Sequence, residues 1–222
     1  MAAQDIYGKR VPKPNPEYIN SGLSPLKLKT VQSVFGHARS KEDYTQEYQD
    51  TDNVFLREML LTENVPGLGK VRGLRPAVES LMKISGQINA MDRDLLSALS
   101  SAGMLNCRLV RGSKTQVSRH AYGAAIDLKV NGVLDAMGDE YTQVGLLAVY
   151  KFFHNEGWYW GAGFSREDSM HFEVSEEKFR EWFSAVFTTQ KMAKLEKKVM
   201  SVKPTKTKAA KAKAAKAKAV KV

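Results

Sequence analysis

The C-terminal end of the chain limits where a folded core can form. Residues 201–222 contain eight lysines, many alanines and no acidic residue. Alanine buries little apolar area and the lysines repel one another, so this segment cannot build a core. We expect a disordered, basic Lys/Ala-rich tail over residues 191–222, and the compact domain must come from the earlier part of the chain.

The tail accounts for most of the formal net charge of +10, because the residues before it hold nearly equal numbers of basic and acidic side chains. A neutral body argues against a nucleoid-type DNA-binding protein. The tail itself favours a tether to a polyanion such as nucleic acid, teichoic acid or anionic lipid, through contacts that weaken with salt. A solubilising tail without a dedicated partner is an equal alternative.

Further features restrict where the protein is made and what it can bind. No apolar run reaches the roughly 18 residues of a transmembrane helix, and the first residues lack a secretory-signal pattern. We therefore expect synthesis in the cytoplasm without a signal peptide. Cys107 is the only cysteine, so histidine and carboxylate must hold any metal. Four prolines (12, 14, 16 and 25) predict an irregular N-terminal arm over residues 1–50.

Residues 51–190 combine helical periodicity with short strand patterns. Helices are predicted over residues 51–61, 142–155 and 175–187, with two more in residues 74–101 separated near Gly86. Strands are predicted over residues 105–110, 124–130, 158–160 and 171–174, with a hairpin at the Asn131-Gly132 turn. Strands and helices do not alternate regularly. This pattern predicts an α+β fold with a small central antiparallel sheet flanked by helices.

Two short segments hold half of the four histidines. Ser118-Arg-His-Ala-Tyr-Gly-Ala-Ala-Ile-Asp127 places His120 in a loop and Asp127 on the next strand, and Asp168-Ser-Met-His-Phe-Glu173 adds His171. Two imidazoles and one carboxylate suit a catalytic zinc, because the fourth tetrahedral position stays open for water. Structural roles for all three side chains, in a loop cap, an ion pair and the core, are the alternative.

The first segment resembles the Ser-x-His-x-x-Gly-x-Ala-x-Asp signature of the VanY-like zinc peptidases. This family comprises D-Ala-D-Ala carboxypeptidases and phage L-alanyl-D-glutamate endolysins, related in fold to the hedgehog signalling domain. The Asp168-x-x-His171-Phe172 segment is similar to the second family motif, and the Gly-Trp-Tyr-Trp-Gly run at 157–161 is typical of phage and bacterial members. The resemblance covers about residues 105–175. It implies a hedgehog/DD-peptidase-like fold in which His120, Asp127 and His171 bind Zn²⁺.

The resemblance also implies the catalytic roles. Asp168 would be the acid/base that takes a proton from a zinc-bound water and returns it to the departing amine, with Glu167 as the adjacent alternative. Relatives place an arginine upstream of the first ligand to stabilise the transition state, and here Arg108 and Arg111 are the candidates. Because positions 108 and 111 of an extended segment face opposite sides, we expect only one in the cleft and favour Arg108.

Substrate contacts are expected from Ser118, from Arg111 and from Trp160 as an aromatic wall, although the aromatic residues 158–160 could equally be core. The resemblance implies a metallopeptidase that cuts peptidoglycan stem peptides at either the L-Ala-D-Glu or the D-Ala-D-Ala bond. The missing signal favours a phage-type lysin, released with phage assistance or carried in a virion. The alternative is an inactive peptidase-fold protein tethered to a polyanion by its tail, but every ligand and acid position is filled.

Overall fold

The computed structural model describes the backbone of residues 6–201 and the side chains of residues 6–193. This part of the chain has an α+β fold with seven α-helices and nine short strands in small antiparallel sheets, which confirms the predicted fold class. The described residues form two units, one ending at Phe183 and the other beginning at Ser184. No helix in the described residues has the length and apolar character required to cross a membrane.

The central sheet carries the two sequence segments that hold the histidines. Its main strands run in the order β4 (Leu99–Gly103), β5 (Ala125–Val130), β9 (His171–Val174) and β8 (Trp158–Trp160), and β6 (Val133–Leu134) pairs with β5. The neighbouring strands are antiparallel. Their register aligns Asp127 on β5 with His171 on β9. The sheet therefore brings together two residues that are far apart in sequence.

The unit that contains this sheet also holds two smaller sheets and six helices, and a seventh helix forms the other unit within the described residues. The hairpin β2 (Leu60–Val65) and β3 (Gly69–Leu74) forms one sheet, and β1 (Arg10–Pro12) pairs with β7 (Tyr141–Gln143) in the other. The helices are α1 (Leu28–Phe35), α2 (Val54–Glu58), α3 (Arg75–Met91), α4 (Arg93–Ala98), α5 (Val144–Asn155), α6 (Glu176–Trp182) and α7 (Ser184–Ser201).

Several local predictions are confirmed. Asn131 and Gly132 both adopt positive φ, as a tight hairpin turn requires, and join β5 to β6. Helix α5 is followed by Gly157 with φ of 81°. The side chain of Ser175 accepts a hydrogen bond from the Lys178 amide and caps α6.

Other elements differ from the predictions in the first half of the chain. Helix α3 continues through Gly86 and ends at Met91. The next residue is Asp92, whose carboxylate caps α4 by accepting a hydrogen bond from the Leu95 amide. The predicted helix at 51–61 is shortened to α2 because β2 begins at Leu60. Residues 105–110 form only isolated bridges, and β4 provides the edge strand instead.

The chain termini require two further corrections. The expected irregular arm at 1–50 contains β1 and α1, and Leu26 is fully buried, so its described residues, from position 6 onward, belong to the folded unit. The expected disordered tail overlaps α7, because residues 191–201 are helical. Alanine, lysine, leucine and methionine all have high helix propensity, which outweighs lysine repulsion there. The rest of the tail lies outside the described residues.

Candidate metal centre and substrate cavity

His120 lies on a short 3₁₀ helix, Arg119–Tyr122, whose two ends are set by the residues on either side of it. Ser118 caps its start, and the Ser118 hydroxyl accepts a hydrogen bond from the His120 amide at 3.3 Å. Gly123 ends it in the left-handed conformation with φ of 60°, a geometry that glycine adopts without strain. His120 is thereby held immediately before the strand that carries Asp127.

Three side-chain atoms converge at one point. The Nε2 atom of His120 lies 3.1 Å from Oδ1 of Asp127 and 3.2 Å from Nδ1 of His171. Nδ1 of His171 lies 3.1 Å from the same Asp127 oxygen. Ligand atoms in a tetrahedral zinc site with bonds of about 2.0–2.1 Å stand about 3.3 Å apart, so the triangle has nearly the required size. Among the described residues, these three are the group that could hold a metal ion.

The partners on the far side of each ring set the tautomers. Nδ1 of His120 lies 2.8 Å from the Met104 carbonyl oxygen, which only accepts, so this nitrogen carries the proton. Nε2 of His171 lies 3.1 Å from a carboxylate oxygen of Glu173 and donates to it. With a metal ion bound between them, each ring would therefore direct the lone pair of its other nitrogen into the triangle. Metal-binding histidines typically have this outer arrangement of a carbonyl or carboxylate partner.

Electrostatics at the triangle favour an added positive charge. Burial alone would lower the pKa of His171, but its hydrogen bonds to Asp127 and Glu173 raise the pKa to about 10. Burial alone would raise the pKa of Asp127, but His120 and His171 hold it well below its ordinary value. A divalent cation at the centre of the triangle would supply this positive charge in place of a proton. The residues present therefore fit a zinc ion by donor type, spacing and tautomer.

A cavity of about 650 Å³ opens onto the triangle. Polar side chains in its lining, besides the candidate ligands, include Arg108, Arg111, Ser118, Asp168 and Glu173. Apolar side chains complete the wall and include Pro25, Leu28, Val110, Val117, Met137, Phe164 and Met170. The cavity is large enough for a few residues of an extended peptide.

The structure separates the two acid candidates. Asp168 lines the cavity, and its buried Oδ1 has no hydrogen-bond partner within the described residues. Burial raises the pKa of Asp168. Glu167 is fully buried away from the cavity lining, and its Oε2 accepts a hydrogen bond from the Glu140 amide at 3.1 Å. Asp168 alone of the pair faces the place where a substrate would lie.

Both arginine candidates line the cavity, so the expectation that only one would enter is wrong. The extended geometry ends at Val110, because the Ser113 amide donates to the Val110 carbonyl and closes a turn that contains Arg111. Residues 108 and 111 therefore do not follow strand alternation. Arg108 is half-buried, whereas Arg111 is exposed at the rim.

Trp160 does not line the cavity, in contrast to its expected role in substrate binding. Its indole is fully buried, donates a hydrogen bond to the Ser169 carbonyl at 2.7 Å and stacks on Phe172. Strand alternation explains the difference, because β8 directs Trp158 and Trp160 into the core. The aromatic side chain in the cavity wall is Phe164, which follows β8.

Three features of the site were missed from sequence. Glu173 contacts His171, and the Met104 carbonyl contacts His120. Pro25 and Leu28 of the N-terminal segment line the cavity. Only Glu173 carried a readable signal, because a residue two positions after a strand ligand lies on the same face of the strand.

Comparison with known proteins gives one match. The family model described as D-alanyl-D-alanine carboxypeptidase matches residues 111–174, which include the three candidate ligands and Asp168. The match covers less than half of the chain. No curated protein and no solved structure gives a match.

Proposed function

We propose that this protein is a zinc-dependent peptidase that cleaves stem peptides of peptidoglycan. The triangle of His120, Asp127 and His171, with an acceptor oxygen on the far side of each imidazole ring, carries the proposal. The matched family model, described as D-alanyl-D-alanine carboxypeptidase, supports the substrate class. Both lines of support concern the same stretch of chain.

A zinc ion held by these three side chains would polarise a substrate carbonyl and lower the pKa of a bound water to about 7. The protein would supply the remaining groups from the cavity wall. Asp168 has a pKa raised by burial and a carboxylate oxygen free of hydrogen bonds within the described residues, so it can accept a proton and pass it to the departing amine.

Arg108 is placed to stabilise negative charge that develops on the substrate. It lines the cavity and interacts electrostatically with both Asp127 and Asp168. A cation in a partly buried site stabilises an oxyanion more strongly than it would in water. Ser118 lies beside His120, and Arg111 at the rim is available to bind a substrate carboxylate.

Digestion of purified peptidoglycan, followed by mass spectrometry of the products, tests the function and identifies the bond. Release of free D-alanine would establish a carboxypeptidase, and separation of L-alanine from D-glutamate would establish an endopeptidase of the lysin type. A chelator should abolish the activity and zinc should restore it. The His120→Ala variant should bind less than one zinc ion per chain and cleave neither bond.

The competing hypothesis is an inactive peptidase-fold protein that binds the cell wall. It predicts wild-type protein that binds zinc and sacculi but releases no product from any stem peptide. Asp168 argues against this hypothesis, because it lines the cavity with a buried carboxylate oxygen that has no hydrogen-bond partner among the described residues and that a substrate or water could reach as a proton donor. Product formation by the wild type together with loss in Asp168→Asn would exclude it.

A further inference from the structure

We propose that Glu173 and the backbone of Leu26 form a positioning device for the metal centre, so that the N-terminal segment of residues 24–30 completes the site. The inference rests on the proposed metal-binding function. It goes beyond that function because it gives roles to residues that hold neither metal nor substrate.

Glu173 connects His171 to the N-terminal segment. One oxygen of Glu173 accepts from Nε2 of His171 at 3.1 Å, and the other accepts from the Leu26 amide at 2.8 Å. Both residues that contact the Glu173 carboxylate are buried. The carboxylate therefore cannot rotate without breaking a hydrogen bond, and the His171 ring keeps its Nδ1 lone pair directed at the metal position.

The carbonyl group of Leu26 contacts the 3₁₀ helix that carries the other candidate histidine ligand, His120. The Leu26 carbonyl accepts a hydrogen bond from Nε of Arg119, the residue directly before His120 on the 3₁₀ helix. Arg119 also donates to the Val117 carbonyl at 3.0 Å. Through its amide and its carbonyl, Leu26 thus joins the strand of His171 to the helix of His120.

Neighbouring contacts fix the N-terminal segment in place. The Ser24 amide donates to Glu177 at 2.8 Å, and Glu176 accepts from both the Lys27 amide at 3.1 Å and the Thr30 hydroxyl at 2.7 Å. The Leu26 side chain is fully buried. The segment is held to the first turn of α6, which follows β9 directly, and it has little freedom to drift relative to His171.

The chemistry of this device requires a carboxylate at position 173. Two donors, one imidazole N–H and one backbone N–H, face the two oxygens of Glu173. Glutamine has the same shape, but it carries an NH₂ group in place of one oxygen. At one of the two contacts this NH₂ group would face another N–H donor, and no hydrogen bond could form there. The predicted result is a loosened His171 ring and a weaker metal site.

The decisive experiment measures zinc affinity by competition with a chelator of known affinity. Glu173→Gln should bind zinc about tenfold to a hundredfold more weakly than wild type, the range typical for lost outer partners of metal ligands. The matched control is Glu177→Gln, which loses a carboxylate charge on the same helix but keeps a side-chain oxygen that can accept from the Ser24 amide, and which does not contact His171. This control should bind zinc within about twofold of wild type.

Two further measurements separate positioning from other roles. The visible spectrum of the cobalt-substituted protein reports ligand geometry, and it should change in Glu173→Gln but not in Glu177→Gln. Arg119→Ala removes the contact on the other side of Leu26, so it should also weaken zinc binding and provides an independent variant if Glu173→Gln does not fold.

The outcomes distinguish this inference from the proposed function. Wild-type protein that binds no zinc would overturn both. Tight zinc binding by wild type with unchanged affinity and cobalt spectrum in Glu173→Gln and Arg119→Ala would overturn the positioning device alone. If Glu173→Gln lost turnover with zinc affinity and spectrum intact, Glu173 would be a catalytic residue and the inference would be wrong.

Discussion

The backbone of Gly73 on β3 touches Gly123 at the end of the 3₁₀ helix that carries His120. A side-chain carbon added to Gly123 would stand 2.7 Å from the Cα atom of Gly73. The Leu74 amide donates to the Gly123 carbonyl at 2.8 Å, which fixes the approach. Gly123 is thus required both by its positive φ and by the absence of space for any side chain.

We therefore predict that Gly123→Ala destabilises the protein. The left-handed backbone and the contact with β3 each add a cost, so the free energy of unfolding should fall by about 2–4 kcal/mol. Urea unfolding of the metal-free protein measures this loss. Gly132→Ala is the control, since Gly132 also has positive φ but its added carbon would meet no atom within 4 Å. An equal loss in both variants would show that close packing at Gly123 contributes nothing.

Substitution of the two neighbouring acids should separate catalysis from structure. Asp168→Asn should keep one zinc ion and the fold but lose about a hundredfold or more in kcat, because general acid–base groups contribute at least this much. Glu167→Gln should retain most activity, since its carboxylate contacts the Glu140 amide outside the cavity lining. Steady-state kinetics on a soluble stem peptide measures both, and the reverse ranking would exchange their roles.

The pH dependence of stability should report on Asp135. Burial raises its pKa to about 6, Arg10 opposes the shift and the charges of Asp139 and Glu167 add to it. A carboxyl with a raised folded pKa stabilises the fold fully below its unfolded pKa of about 3.9 and loses this contribution as pH rises through 6. Asp135→Asn should therefore match wild type near pH 4 and exceed its unfolding free energy by roughly 1–2 kcal/mol at pH 7.5.

Urea unfolding at both pH values tests this prediction. The control is Asp139→Asn. Asp139 also contacts Arg10, but its hydrogen bond to Arg10 lowers its pKa, whereas the pKa of Asp135 is raised. This control should gain no stability at pH 7.5. A lower stability of Asp135→Asn at pH 7.5 would mean that the ion pair with Arg10, at 3.4 Å, outweighs the cost of burial.

Deletion of residues 202–222 should affect surface binding and leave chemistry unchanged. The segment contains eight lysines and no acidic residue. The truncated protein should bind zinc and cut a small soluble stem peptide as the full chain does. Its binding to sacculi should be weaker at low salt, and the difference should shrink as salt rises. Equal low-salt binding of both forms would leave only a solubilising role for the tail.

The sequence was most informative where structure is set locally. The hairpin at Asn131-Gly132, the helix before Gly157 and the strand of His171 follow from turn residues and periodicity within short windows. The spacing of His120 and Asp127 likewise reflects a capped turn followed by a strand. These features involve residues close along the chain, so a single sequence could reveal them.

The remaining features depend on contacts between distant segments. The role of Leu26 at the site requires Glu173, which lies 147 positions further along the chain. Trp160 looked equally suitable for the core or for a substrate wall, and only the packing against Phe172 decides between them. Arg111 enters the cavity because a turn replaces the expected strand. No periodicity within the sequence encodes such neighbours.

The alignment of Asp127 with His171 has a consequence for how the protein assembles. Side chains alternate along strands, so a slip of one residue between β5 and β9 would move one candidate ligand to the opposite face of the sheet. A metal ion that requires both side chains would be bound only by correctly aligned strands. Such an ion would link the two strands, and its binding energy would stabilise the correctly aligned sheet relative to misaligned sheets during folding.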